Sequence, residues 1–316
     1  MKYFLNLSVL FLSISVLSYD RITGFDFASR SEIISTNGMA ATSHPLATQT
    51  AIEVLQRGGN AIDAAIAANA VLGLMEPTGC GIGGDLFAIV WSADDKKLYG
   101  LNSSGPAPKN ISIDKLLAKN LQQIPPYGPL PVTVPGAVAG WVELHNKFGS
   151  LPFENLFLEA IDYSENGFPV TEVVAYYLEL SAERFNTYPN FKEIWMPTGK
   201  TPSKGDIFKN PQLAYAYKKI SKTVGKDFYE GDIAKEIVRF INEQGGYFSL
   251  DDLKDYKPEW IEPVSSNYRG YEVWELPPNG QGIAALQILN ILENYDIQTL
   301  GFGSAEYIHL FTEAKK

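Results

Sequence analysis

The 316 residues hold a single cysteine, Cys80, and three histidines, His44, His145 and His309. One cysteine excludes an internal disulfide. Histidines so far apart in sequence, without paired acidic or thiol ligands, give no metal-site spacing. Positive charge is also scarce. There are 26 Lys and Arg against 36 Asp and Glu, a formal net charge of −10, and no basic cluster occurs. That balance argues against nucleic acid as a partner. There is no internal repeat, no low-complexity tract and, beyond the N-terminus, no apolar run long enough to cross a bilayer.

What is present is ordinary for a globular protein: 45% hydrophobic and 20% charged residues, in a length that suits one large core or two smaller ones. The N-terminus stands apart. Met1-Lys2 is a short positive region, Phe4 to Leu17 is almost continuously apolar, and Val16-Leu17-Ser18 offers cleavage positions. Residues 1–18 are expected to be a secretory signal peptide, with residues 19–316 secreted, periplasmic or held on an outward-facing membrane surface. An uncleaved anchor is the alternative, although the run falls short of the ~20 residues a spanning helix needs.

The stretch Gly58 to Phe87 organises the rest. Gly58-Gly59 stop one helix. Asn60 stands where an N-cap belongs, with Asp63 in the first turn. Ala61 to Met75 is apolar on nearly every face, which predicts a helix buried all round. Glu76-Pro77 ends it, and a turn holding Gly79, Gly81, Gly83 and Gly84 leads into Leu86 to Trp91, which reads as a buried strand. The turn matches GxGxxG at Gly79, Gly81 and Gly84. A dinucleotide loop must leave a strand and open a helix, and here the order is reversed. Two readings stay open: a tight turn where backbones pass closely, or a turn whose amides line a substrate site. The close-passage reading makes Gly83 a position that rejects a β-branched side chain.

Along the chain, Ile34 to Ala41 reads as a short strand, and Ser43 as the cap of a helix over 46–57 with Pro45 near its first position. A second strand over 97–101 forms a hairpin with 86–91 through the polar turn 92–96. Residues 102–108 leave as a loop, and the proline-dense residues 124–131 form a connector. Helices are expected over 136–148, 152–165, 171–185, 211–224, 232–244 and 283–294, with loop over 188–206. Ser249 and Asp252 resemble a capping box, and 271–276 alternates as a strand. A last helix opens at Ser304 and runs to Lys316. These elements make an α/β protein of the α+β kind.

Side-chain chemistry alone stays silent. Cys80 lacks a partner base in sequence, and Ser103 and Ser104 lack a strained strand-turn-helix setting. His44 and His145 sit where helices start and end, which suits capping and packing. Asn102-Ser103-Ser104 and Asn110-Ile111-Ser112 are glycosylation sequons, meaningful only in a eukaryote.

A set of separated motifs nevertheless carries a resemblance. Gly38-Met39, Ser43-His44-Pro45-Leu46-Ala47, Leu55 to Ala65, Glu76-Pro77, Gly81-Ile82-Gly83-Gly84, Val134-Pro135-Gly136-Ala137-Val138-Ala139-Gly140-Trp141, Phe228-Tyr229-Glu230-Gly231, Gly245-Gly246 and Pro277-Pro278-Asn279-Gly280-Gln281-Gly282 occur in the order found in γ-glutamyltransferases, also called glutathione hydrolases. The resemblance runs from about Gly38 to the last residue. It implies an N-terminal-nucleophile hydrolase with an αββα sandwich, made as a proenzyme that cleaves itself into a large and a small subunit, without metal or cofactor. The nucleophile is then the threonine that begins the small subunit, with its own α-amine as base. The substrate is a small γ-glutamyl amide such as glutathione, the partner is the chain's own small subunit, and backbone amides hold the oxyanion.

Two departures bear on function. The chain stops before the threonine, and Thr312 does not match the start of a small subunit, so no catalytic residue is assigned here and the fragment alone is expected to be inactive. The family's Arg-Glu-Thr-Ala-Pro motif, whose arginine grips a carboxylate, is replaced by Leu101-Asn102-Ser103-Ser104-Gly105-Pro106-Ala107-Pro108. Ser104 stands at the arginine position and is the candidate substrate-binding residue. The arginine of a divergent Gly-Arg-Ala-Pro branch is Pro106. Three expectations follow: a γ-glutamyl hydrolase or transferase, a related amide acylase of the β-lactam acylase type, or a secreted protein that only binds.

Overall fold

The computed structural model describes residues 33–316. The expected signal peptide, residues 1–18, lies outside the described residues. Residues 33–39 are described by themselves, and Ala40–Lys316 form a second, compact unit. The strand expected over 34–41 does not form. Ser35 Oγ instead accepts from the N–H groups of Asn37 and Gly38, both at 3.4 Å, a local turn that competes with a sheet ladder.

In the second unit, α1 (Pro45–Gln56) is capped by His44 rather than Ser43. Pro45 has the φ of a first helical residue, which makes residue 44 the boundary. His44 Nδ1 accepts from Leu46 N–H at 3.3 Å, while Ser43 Oγ donates to Glu76 Oε2 at 2.6 Å. The buried helix α2 (Ala61–Met75) follows, closed by the capping box of Asn60 and Asp63. Strands β1 (Leu86–Ser92) and β2 (Lys97–Ser103) form the hairpin, with Leu86 opposite Ser103. Next come α3 (Ile113–Leu117), the connector, and α4 (Ala137–Phe148). A 3-10 turn, Phe153–Phe157, opens α5 (Leu158–Asn166). Then follow β3 (Phe168–Pro169), α6 (Glu172–Phe185), α7 (Phe191–Trp195) inside the stretch expected to be loop, and β4 (Ile207–Phe208), which pairs with β3. Helices α8 (Pro211–Thr223), α9 (Lys226–Glu230), α10 (Asp232–Glu243) and α11 (Leu250–Lys254) lead to β5 (Glu259–Ile261), which adds to β2. The hairpin β6 (Val264–Tyr268) and β7 (Tyr271–Glu275) precedes α12 (Gly282–Leu292), α13 (Ile297–Leu300) and α14 (Ala305–Lys315).

The core forms round α2, which packs on α1, α4 and α5. Ile66, Val71, Leu74 and Met75 meet Trp141, Phe157 and Tyr217, all fully buried. The polar ends of the two large rings are tied to α2 itself: Trp141 Nε1 donates to Asn69 Oδ1 at 2.8 Å, and Tyr217 Oη donates to the Ala70 carbonyl at 2.6 Å. Asp63 is fully buried and accepts from the N–H groups of Asn60 (3.0 Å), Ser150 and Leu151 (3.2 Å each) and from Ser150 Oγ at 2.5 Å. One carboxylate thus closes α2 and fastens the loop after α4.

The expectation that β1 is buried on both faces is corrected. Leu86, Ala88 and Val90 turn inward, whereas Phe87, Ile89 and Trp91 are 44%, 40% and 60% exposed. The run is uniformly apolar, yet α4 packs against one face of the hairpin, while the other is covered only in part, by Leu276 over Gly100, the residue opposite Ile89.

Candidate active site

The motifs that lie apart in sequence meet at the junction of the glycine-rich turn, the end of β2 and the start of α4. The Gly84 carbonyl accepts from both Gly136 N–H and Ala137 N–H at 2.9 Å, and so caps α4, whose N-cap glycine has no side chain to do so. Ser103 Oγ, fully buried, donates to the Gly136 carbonyl at 2.7 Å and lies 3.1 Å from Tyr256 Oη. Tyr229 Oη accepts from Ala139 N–H at 2.9 Å and donates to the Pro135 carbonyl at 2.8 Å. Burial pushes the Tyr229 phenol far above its ordinary range, which keeps it the neutral donor this bridge requires. The backbones touch directly here: a Cβ at Gly136 would overlap the Ser103 carbonyl, and one at Gly105 the Val134 carbonyl.

The glycine turn has two different sides, one packed on the core and one open to a cleft. On the core side backbones do pass closely: a Cβ on Gly73 of α2 would lie 3.3 Å from Gly81 Cα and 2.7 Å from Tyr217 Oη. On the other side Gly79, Gly81 and Gly83 have no atom within 4 Å of a Cβ, and none of them has a left-handed φ. The expectation that Gly83 rejects a β-branched residue is therefore corrected. The close passage falls on Gly73, and the open face of the turn joins Asn69, Thr78, Cys80 and Asp85 in a cleft of about 380 Å³. The order helix, turn, strand agrees with rejecting a dinucleotide loop. Burial, then the Glu76 carboxylate, pushes the Cys80 thiol up, the opposite of what a nucleophilic thiolate needs.

Ser104 lies half-buried just past β2 and is not free. Its hydroxyl and its N–H reach Asn102 Oδ1 at 2.8 and 3.0 Å, and Asn279 Nδ2 donates to Ser104 Oγ at 2.9 Å. Asn102 Nδ2 in turn donates to Asn279 Oδ1 at 2.8 Å. This ring joins the 102–108 loop to the Pro277 to Gly282 loop and borders a cleft of about 440 Å³ that Tyr256, Lys257 and Glu259 also line. Asn279 stands within a motif legible in the sequence, but its pairing with Ser104 is not legible there, nor is the place of Tyr256 and Lys257. These contacts join residues far apart in sequence, which no local pattern announces. The other candidates are structural. His44 is buried as a cap, and His145 Nε2 meets the Leu151 carbonyl at 2.7 Å while its ring packs edge-on against Phe153. Among the described residues no group of His, Cys, Asp or Glu is arranged to hold a metal.

A family model described as gamma-glutamyltranspeptidase matches residues 47–316. This chain belongs to that family. It is 38% identical over 285 residues to the glutathione hydrolase-like YwrD proenzyme of Bacillus subtilis, covering 90% of this chain and 54% of that protein. It is 32% identical to the glutathione hydrolase proenzyme of Escherichia coli, covering 88% and 49%. Among solved structures it resembles the cephalosporin acylase of Bacillus halodurans, with a TM-score of 0.85 and 40% identity over 93% of this chain and 56% of that one. It also resembles the gamma-glutamyltranspeptidase of Helicobacter pylori, with a TM-score of 0.83 and 34% identity over 90% and 83%. The chain spans about half the length of the curated relatives it matches. These likenesses establish the N-terminal-nucleophile hydrolase fold, to whose αββα sandwich the described helices and the β1-β2-β5 sheet belong.

Proposed function

We propose that this chain is the large-subunit portion of a γ-glutamyl hydrolase or transferase that acts on glutathione and other γ-glutamyl amides, exported by a signal peptide over residues 1–18. The family match across residues 47–316 carries the reading. In this account the proenzyme cleaves itself, and the threonine freed at the start of the small subunit is the nucleophile, with its own α-amine taking the proton. It attacks the γ-glutamyl carbonyl, the amine departs, and water or an amino acid takes the acyl group. Thr312 is no substitute: it sits within α14, and its hydroxyl donates to the Ile308 carbonyl at 2.7 Å.

One observation favours a second reading, an amide acylase with a different substrate. Neither arginine position of the carboxylate motif is filled, since Ser104 and Pro106 occupy them, and a relative of high structural similarity is a cephalosporin acylase. Assaying the full gene product on a γ-glutamyl anilide and on the side-chain amide of a cephalosporin separates the two. Higher kcat/KM on the anilide is expected, and the reverse order would replace the first reading with the second.

A further inference from the structure

We propose that the cleft between α6, α7 and the proline-dense connector is a ligand subsite for a carboxylate carried on an apolar or aromatic body, with Arg184 as its anion-binding group. The cleft has two lobes, of about 670 and 530 Å³, which share Tyr127, Phe185, Phe191 and Trp195. Among the described residues lining either lobe, Arg184 is the only charged one. Of the other described guanidinium groups, Arg57 is claimed by Glu159 and Arg239 by Glu236 and Glu243, while Arg269, which lines neither lobe, donates to the Tyr295 carbonyl. Arg184 is held differently. Its Nη1 donates to Tyr127 Oη at 2.7 Å, and its guanidinium lies 5.0 Å from the Tyr127 ring and 5.8 Å from the Phe185 ring. Among the described residues no carboxylate pairs with it.

That arrangement orients the guanidinium without neutralising it. A guanidinium has five N–H donors in a planar fork, and stacking on a ring leaves the outer edge of the fork for a bidentate carboxylate. The walls are preformed: Trp195 stacks on Phe208 at 5.4 Å, and Tyr127 packs edge-on against Phe185 at 5.1 Å. Arg184 is itself exposed, as is Tyr127, so a ligand reaches the guanidinium directly from solvent. The subsite adjoins the glycine turn, since Pro77 and Thr78 line both this cleft and the turn's own. It goes beyond the γ-glutamyl reading and stands without it, because its test reads binding rather than turnover.

The test is ligand-observed fluorine NMR on the full gene product, with 4-fluorophenylacetate and its neutral amide as probes. Saturable binding of the acid is expected, about two- to fivefold tighter than the amide, the margin of an exposed ion pair. Arg184→Met should remove that margin with melting unchanged, Arg184→Lys should keep part of it, and Ser104→Ala, in the separate cleft, should leave it intact. Equal binding of acid and amide, acid binding indifferent to Arg184→Met, acid binding lost in Ser104→Ala, or no saturable binding would each overturn the proposal.

Discussion

Ser104 occupies the place of a carboxylate-binding arginine, yet its hydroxyl is already engaged by Asn102 and Asn279. On the γ-glutamyl reading, Ser104→Arg restores a charged clamp beside the cleft that Lys257 and Tyr256 line. A charge-assisted bidentate pair is worth roughly 1.5–3 kcal/mol. KM for a γ-glutamyl anilide should therefore fall about tenfold or more in the full gene product. Unchanged or worse kinetics with intact folding would remove this loop from the carboxylate site. His44 supports a different test at the same scale. Burial lowers its pKa, against an opposing pull from Glu76, and its Nδ1 must stay unprotonated to cap α1. The folded state thus binds its proton later than the unfolded chain. Its contribution is whole above about pH 6.5 and is lost as pH falls from there through the lower folded value. His44→Asn keeps a capping acceptor but does not titrate. Its melting temperature should fall less than that of the wild type between about pH 7 and pH 5, a window set by the ordinary histidine pKa. Parallel curves would show that His44 does not titrate on unfolding.

At the scale of elements, α2 is the part most legible in the sequence. Its cap, its first-turn acid and its apolar circumference are all local, and the helix forms over the residues expected. What the sequence hid was non-local. The strand β5 is three residues long and exists because it pairs with β2. The strand β6, Val264-Ser265-Ser266-Asn267-Tyr268, is too polar to announce itself. Likewise Ser103 reads as a loop serine until the Gly136 carbonyl is brought to it. The same reasoning locates the fragile points. Asp63→Ala leaves three backbone N–H groups and a hydroxyl without their acceptor, and should cost about 3 kcal/mol in denaturant unfolding, since each buried unsatisfied donor costs roughly 1–3 kcal/mol. A cost under about 1 kcal/mol would mean that water replaces the carboxylate. Gly136→Ala should be as severe, because the overlap is with backbone, whereas Gly83→Ala should be nearly silent. Equal melting of these two glycine variants would refute the close contact at the junction.

For the whole molecule, the outer face of β1 is the informative feature. Phe87, Ile89 and Trp91 form an exposed apolar row on a strand that is also the edge of its sheet. Such an edge invites pairing. On the reading proposed here, the small subunit supplies the cover and also the nucleophile. Residues 19–316 expressed alone should then associate and be inert. The direct measurement is chromophore release from a γ-glutamyl anilide, with glycylglycine as acceptor, by residues 19–316 alone and by the full gene product. The account predicts turnover by the full product and none by residues 19–316. Turnover by a monomeric, cooperatively melting preparation of residues 19–316 would contradict it.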